Sequence, residues 1–171
     1  QNRFLKIKIP FTDDASIENA IHCWALMLHL GYKSEVIEER MTLLSPVAMR
    51  LELKEGINDC SIINDSYSSD IGSLTIALDF LNQQKQHDKR TVILSDILQS
   101  GKNEETLYSE VAQLLAAKNI DRMIGIGSAI ARQQNQFSIP KKFYADTEDF
   151  LRTFSPMDFN DETILLKGAR V

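Results

Sequence analysis

Three charged residues stand where an open α/β sheet would present them to a ligand: Arg50, Asp65 and Lys167. Arg50 lies in the stretch Met49-Arg50-Leu51-Glu52-Leu53, which reads as a strand. Asp65 closes the run Cys60-Ser61-Ile62-Ile63-Asn64, ahead of the polar loop Ser66-Tyr67-Ser68-Ser69-Asp70 and a helix-periodic segment. Lys167 closes Thr163-Ile164-Leu165-Leu166. Ligands of open α/β sheets bind outside the carboxyl ends of the strands. Asp65 and Lys167 are therefore placed to meet one, and the guanidinium fork of Arg50 suits a phosphate or carboxylate. The competing account is a surface Arg, a loop Asp that starts a helix and a solvated strand-end Lys. The residues by themselves leave both accounts open and name no reaction.

Other patterns are weaker. Gly125-Ile126-Gly127 follows a strand and opens a helix in the manner of a dinucleotide fingerprint, with Asp146 at a ribose-contact distance downstream. Its third small position is Ile130, whose bulk opposes close helix–sheet packing, so a plain strand-to-helix turn is the better account. No Gly-x4-Gly-Lys-Ser/Thr loop is present. His22, His29 and His87 show no metal spacing, and no metal site is expected. No Ser/His/Asp order or nucleophile elbow is recognisable. Glu104, Glu105 and Glu110 read as the wet face of a helix.

The elements that must position these residues follow from periodicity. Phe4 to Phe11 alternates and reads as a strand; Ser16–Leu30 and Ser34–Met41 read as helices, with Ser16 as N-cap and Gly31 at the C-terminal stop. Leu43 to Ala48, with Ser45-Pro46, is the expected boundary, giving domains over 1–45 and 46–171. Beyond it, strands are expected at Arg50–Lys54, Ser61–Asn64, Thr91–Leu94, Arg122–Ile126, Lys142–Ala145 and Thr163–Leu166. Helices are expected at Gly72–Gln84, Glu104–Lys118, near Ser128–Gln134, and at Thr147–Phe154. Repeated β-then-α spacing predicts an α/β fold, a Rossmann-like, mainly parallel sheet with helices on both faces. Gly56-Ile57-Asn58 suits a hairpin that makes the first strand antiparallel.

The 171 residues, 43% hydrophobic and 25% charged, have ordinary globular composition. The net charge of -5 argues against nucleic acid or an anionic membrane as partner. No apolar run approaches the ~20 residues of a spanning helix. Gln1-Asn2-Arg3 is unlike a signal peptide, and both ends are expected to be cut from a longer chain. Cys23 and Cys60 share no motif and read as reduced thiols of a cytoplasmic protein.

Met49-Arg50-Leu51-Glu52 followed by Ile63-Asn64-Asp65-Ser66-Tyr67-Ser68-Ser69-Asp70-x-x-Ser73 resembles the start of the C-terminal domain of the Mur ligases, ATP-dependent amide-forming enzymes of peptidoglycan synthesis. The branch it is most similar to adds D-alanyl-D-alanine to UDP-N-acetylmuramoyl-tripeptide and reads Asp-Asp-Ser-Tyr-Asn-Ala-Asn-Pro-x-Ser. Leu94-Ser95-Asp96-Ile97 is similar to the family's Leu-Gly-Asp-Met, and Ile120 to Gly127 and Ile164 to Gly168 fit their places. The segment ending Ser16-Ile17-Glu18-Asn19-Ala20 resembles the end of the central ATPase domain, where the family has His-Asn in place of Ala15-Ser16. The Ser68-Ser69-Asp70 variant resembles a Bacteroidetes-type fusion of such a ligase to a pyridoxal-phosphate alanine racemase.

The resemblance implies roles residue by residue. Asn19 would contact adenine, Arg50 would reach the nucleotide, and Asp65 would bind the ribose hydroxyls. Tyr67, Ser68, Asp96 and Lys167 would lie near nucleotide or substrate, and none would be catalytic in itself. ATP, with Mg2+, would phosphorylate the tripeptide carboxylate; the amine of D-Ala-D-Ala would attack the acyl phosphate, and phosphate would leave. The P-loop, the Mg2+ ligands and the UDP-sugar domain would lie in other domains of the same chain, with this piece as the closing half that excludes water. Two alternatives remain: a Mur-type or folylpolyglutamate-type ligase with another amine substrate, and a non-catalytic Rossmann-like scaffold.

Overall fold

The computed structural model describes residues 6–45, 50–98 and 100–168. The chain divides into two compact units, Gln1–Val47 and Ala48–Val171. Among the described residues no helix is long and apolar enough to cross a membrane.

In the first unit, α1 (Asp14–His29) is followed by α2 (Ser34–Thr42). The N-cap is Asp13 rather than Ser16: its carboxylate accepts from the Ser16 N–H at 2.8 Å, the third amide of the new helix. Gly31 does end α1. Its φ of +84° lets the Gly31 and Tyr32 amides turn back to Leu28 and Met27, satisfying two terminal carbonyls. Ala20, Ile37 and Met41 form the buried part of this unit. The strand expected over Phe4 to Phe11 is not formed at Lys6–Phe11, and Phe4 and Leu5 lie outside the described residues. Alternation marks two faces, but a strand also needs a partner for its ladder, and none is paired there among the described residues.

The second unit carries one six-stranded sheet. Its strands are β1 (Glu52–Glu55), β2 (Cys60–Asp65), β3 (Lys89–Ser95), β4 (Arg122–Ile126), β5 (Lys141–Tyr144) and β6 (Glu162–Lys167). The spatial order is β1-β2-β6-β3-β4-β5. Among the described strands only β1 is antiparallel, joined to β2 by the expected hairpin. The left-handed residues of that hairpin are Asn58 and Asp59, with φ of +54° and +53°. The helices are α3 (Ile71–Gln83), α4 (Glu104–Ala117), α5 (Ser128–Arg132) and α6 (Thr147–Thr153), with 3-10 turns at Gln134–Gln136 and Pro156–Asp158.

The two sheet faces differ. On one, Ile63, Val92, Leu94, Met123 and Leu165 pack under Leu74, Leu78 and Leu81 of α3, Leu107, Val111 and Leu115 of α4 and Ile130 of α5. On the other, the buried cluster is Cys60, Ile124, Phe159 and Ile164, with Tyr144 and Phe150 against it. Of the described helices only the seven-residue α6 supplies a side chain to this second cluster, leaving an apolar groove of about 270 Å³ lined by Ile62, Ile93, Phe154 and Leu166. Helical cover is thus unequal where the β-then-α spacing predicts it on both sides. The long helices α3 and α4 both cover the first face, whereas the α6 segment is broken after two turns by Phe154-Ser155-Pro156.

Candidate functional site

Five parallel strands end at one edge, and the central β6 brings its last residue beside the last residue of β2. Asp65 and Lys167 are register partners. Lys167 Nζ donates to Asp65 Oδ2 at 2.7 Å and to the Ser68 carbonyl at 2.6 Å. Both side chains are nearly sealed from solvent, at 7% and 2% exposure for Asp65 and Lys167. Asp65 Oδ1 also accepts from the Leu51 N–H at 3.4 Å, and Leu51 sits at φ +49° where the chain turns into β1. A buried ion pair persists only when added hydrogen bonds offset the loss of water. Here those bonds tie together the start of β1, the end of β2, the loop after it and the end of β6. Lys167 is therefore not the solvated strand-end residue of the competing account.

Arg50 is exposed, and its Cζ lies 4.2 Å from the centre of the Tyr67 ring. It precedes β1 rather than opening it. Stacking occupies the face of a guanidinium, and its N–H donors lie in the plane, as phosphate or carboxylate recognition requires. The loop after β2 is held by hydrogen bonds. Ser66 donates to Asn64 Oδ1 at 2.7 Å. Asp70 caps α3 in a reciprocal box with Ser73. Hydrogen bonds from the Ser73 amide and then its hydroxyl, with the Lys167 charge adding, hold the Asp70 carboxyl below its usual range. Where the family motif has Asn-Pro, Asp70-Ile71 keeps the cap function, because Asp and Asn are equivalent N-caps. Ser69 is buried, with a hydroxyl that has no partner among the described residues.

Asp96 works elsewhere along the same edge. Its carboxylate accepts from the Ile130 amide at 2.8 Å and the Ala129 amide at 3.2 Å, capping α5, and from the Tyr108 hydroxyl at 3.4 Å. Gly127 makes this possible. At φ +141° it carries no side chain, and a Cβ there would stand 2.4 Å from the Asp96 carboxyl. Gly125 likewise makes room for the Phe143 ring. The Gly-Ile-Gly segment is thus a strand-to-helix turn whose helix start is filled by the protein's own carboxylate. Burial, with the Asp96 charge adding and the Ile97 amide opposing, pushes the Tyr108 hydroxyl up to about 12.

Of the residues singled out by sequence, Arg50, Asp65, Tyr67, Ser68 and Lys167 come together, and Asp96 belongs to its own hydrogen-bonded group. Asn19 is exposed on α1 in the first unit. Asp146 is the N-cap of α6, accepting from the Asp149 amide at 2.8 Å, which accounts for it without a dinucleotide. Glu104 and Glu110 are paired, with Arg132 and Lys102 respectively. A group missed by sequence lies at the opposite edge. Ser61 Oγ is 3.1 Å from His87 Nε2, and His87 Nδ1 is 2.9 Å from Asp161 Oδ1. These residues are 26 and 74 positions apart, so no local spacing signals them.

Residues 49–170 match the family described as Mur ligase, glutamate ligase domain. The chain is similar to the UDP-N-acetylmuramoyl-tripeptide–D-alanyl-D-alanine ligase of Bacillus subtilis, 26% identical over 95% of this chain and 36% of that protein. Among solved structures it resembles MurF from Acinetobacter baumannii, with a TM-score of 0.76 at 20% identity over 96% of this chain and 36% of the other. It also resembles the MurF ligase from Thermotoga maritima in complex with ADP, with a TM-score of 0.71 at 14% identity over 97% of this chain and 38% of the other. The chain thus spans about a third of the length of the curated relatives it matches.

Proposed function

Since the chain belongs to the Mur ligase family, we propose that it is the C-terminal part of an ATP-dependent ligase that adds D-Ala-D-Ala to UDP-N-acetylmuramoyl-tripeptide. The observation that carries this is the cluster at the carboxyl edge, where Arg50 over Tyr67 stands beside the buried Asp65–Lys167 pair. An ionised carboxylate has about four acceptor sites. Asp65 spends one on Lys167 and one on Leu51, so acceptor capacity remains for ribose hydroxyls. Arg50 adds an exposed fork for phosphate oxygens. Arg50 fits a nucleotide approaching the edge from outside, and Asp65 would meet it only through the small accessible part of its carboxylate.

Bound ATP, with Mg2+ held by the rest of the ligase, supplies the phosphoryl group that activates the tripeptide carboxylate. The part of this chain is to bind and exclude. Arg50 and Asp65 grip the nucleotide. Lys167 holds Asp65 and the Ser68 carbonyl in place, and the ordered 66–70 loop keeps water from a hydrolysable acyl phosphate. Asn19, exposed on α1, is the proposed adenine contact within the first unit, which is read as the end of the central ATPase domain. The ligase is placed in the cytoplasm. Its fusion to a pyridoxal-phosphate alanine racemase belongs to the same reading and is supported by the Ser68-Ser69-Asp70 variant.

The test is phosphate release by the whole ligase with ATP, Mg2+ and UDP-muramoyl-tripeptide, with and without D-Ala-D-Ala, beside Arg50→Ala. Release that requires the dipeptide and drops in the variant is the expected result. Dipeptide-independent release points to another amine substrate, and no release from folded protein points to a binding scaffold.

A further inference from the structure

We propose that Asp59, His87 and Asp161 form a site for one first-row divalent transition-metal ion of the Zn2+ type. The site lies at the amino edge of the sheet, opposite the Arg50–Asp65–Lys167 cluster, and is independent of the ligase function proposed above. Asp59 comes from the β1–β2 hairpin, His87 from the segment between α3 and β3, and Asp161 from the turn before β6. Their ligand atoms all lie within 4.8 Å of one another. Ligands about 2.0–2.2 Å from a tetrahedral ion stand roughly 3–3.5 Å apart, so closure asks for about 1 Å of movement. The carboxylates can provide it. Asp59 is exposed, and the Asp161 side chain is 67% exposed.

The imidazole, in contrast, is fixed. The His87 side chain is 7% exposed, and its far nitrogen, Nε2, meets Ser61 Oγ at 3.1 Å. A hydrogen-bonding partner on the far ring nitrogen is what orients a metal-ligating histidine. A carboxylate can only accept, so without metal Nδ1–H donates to Asp161, and in that tautomer the unprotonated Nε2 accepts from the Ser61 hydroxyl. With the ion on the Nδ1 lone pair, the ring proton sits on Nε2 and Ser61 accepts it. The Ser61 proton then needs an acceptor of its own. Thr163, the register partner of Ser61 on β6, is 1% exposed, and its hydroxyl has no partner among the described residues. Register partners on adjacent strands are about 4.8 Å apart, within reach of two hydroxyls. The metal-bound tautomer would let Ser61 turn its proton toward that orphaned buried oxygen.

One imidazole and two carboxylates favour Zn2+ or Mn2+ over Mg2+, which prefers an all-oxygen octahedron. Three protein ligands leave a position for water, and the ion would tie three chain segments at the amino edge.

The experiment is calorimetric titration of the chelator-stripped 171-residue chain with Zn2+, Mn2+ and Mg2+. The expected result is one Zn2+ per chain, at least about 100-fold tighter than Mg2+, with a rise in thermal midpoint. His87→Ala and Asp161→Asn should abolish it, and Ser61→Ala should weaken it about 10–100-fold at unchanged stoichiometry. In the unaltered protein, the ¹⁵N resonance of His87 Nδ1 should shift on Zn2+ addition, a readout that does not depend on a variant folding. Absence of saturable binding, an unmoved His87 Nδ1, or binding that survives His87→Ala and is lost in Cys23→Ser would each overturn the site.

Discussion

Lys167 Nζ lies 2.7 Å from Asp65 Oδ2 across the β2–β6 register, with the Ser68 carbonyl 2.6 Å away on its other side. The last residues of two strands thus neutralise each other in a place water scarcely reaches. Removing one member strands the other: Lys167→Met should cost about 3–5 kcal/mol, read from urea unfolding. The double variant Lys167→Met with Asp65→Leu should cost less than Lys167→Met alone, because no unpaired charge remains. A double variant that is worse than the single would show that the pair adds stability of its own.

Arg50 stands in a different relation to the fold. It is exposed and rests on Tyr67, a contact worth about 0.5–1 kcal/mol. Arg50→Ala should therefore leave the unfolding midpoint nearly unchanged. In the whole ligase it should weaken ATP binding about 10–100-fold, the worth of a charge-assisted hydrogen bond of about 1.5–3 kcal/mol. Parallel denaturation and nucleotide titration separate the two. A large stability loss with unchanged affinity would assign Arg50 to the fold instead.

What sequence could and could not convey follows from range. Apolar runs such as Met123 to Ile126 announce strands covered on both faces, and every strand expected after Ala48 forms, with ends moved by a residue or two. The hairpin at Gly56 to Asp59 and the stop at Gly31 are local chemistry, and were legible as such. Strand order was not, because nothing in Glu162 to Lys167 says that it enters the middle of the sheet between β2 and β3. The partner of Lys167 is 102 residues away, so the residue reads equally well as solvated until the register is known. Arg50, Asp65 and Lys167 were found by strand-end position and by motif, but the burial that joins the last two was not. The N-cap of α1 is misread from sequence: Ser16 is the expected acceptor, but Asp13 caps the helix and the Ser16 amide is its donor.

Gly127 and Asp96 are coupled. A methyl group on Gly127 would meet the Asp96 carboxyl at 2.4 Å, and the residue holds a φ of +141° that side chains rarely adopt. Gly127→Ala should destabilise by about 2 kcal/mol or more through overpacking and strain. Asp96→Ala, which uncaps α5, should cost about 0.5–2 kcal/mol. Together they should cost less than the sum, because the first variant removes the group that the second one strikes. Strict additivity in a thermal double-mutant cycle would sink this account of the turn.

The acid limb of the stability profile should be governed in part by Glu162 at the amino edge. Its carboxylate is fully buried; it accepts from Arg122 at 3.0 Å on both oxygens, from Lys89 at 2.9 Å and from the Thr91 hydroxyl. Burial alone would raise its pKa. The hydrogen bonds from Thr91 and Lys89 and the Arg122 charge outweigh that and hold it below the ordinary value of 4.5. A carboxyl with a lowered folded-state pKa binds protons more readily when unfolded, so stability rises with pH across that interval. The contribution is complete above about pH 4.5 and is lost as pH falls through the lower folded value. Glu162→Gln should cost about 2 kcal/mol or more at neutral pH, short of a fully buried pair because Lys89 is half exposed. It should also flatten unfolding free energy against pH below about 4.5. An acid limb as steep in the variant as in the parent would move the titration to other carboxylates.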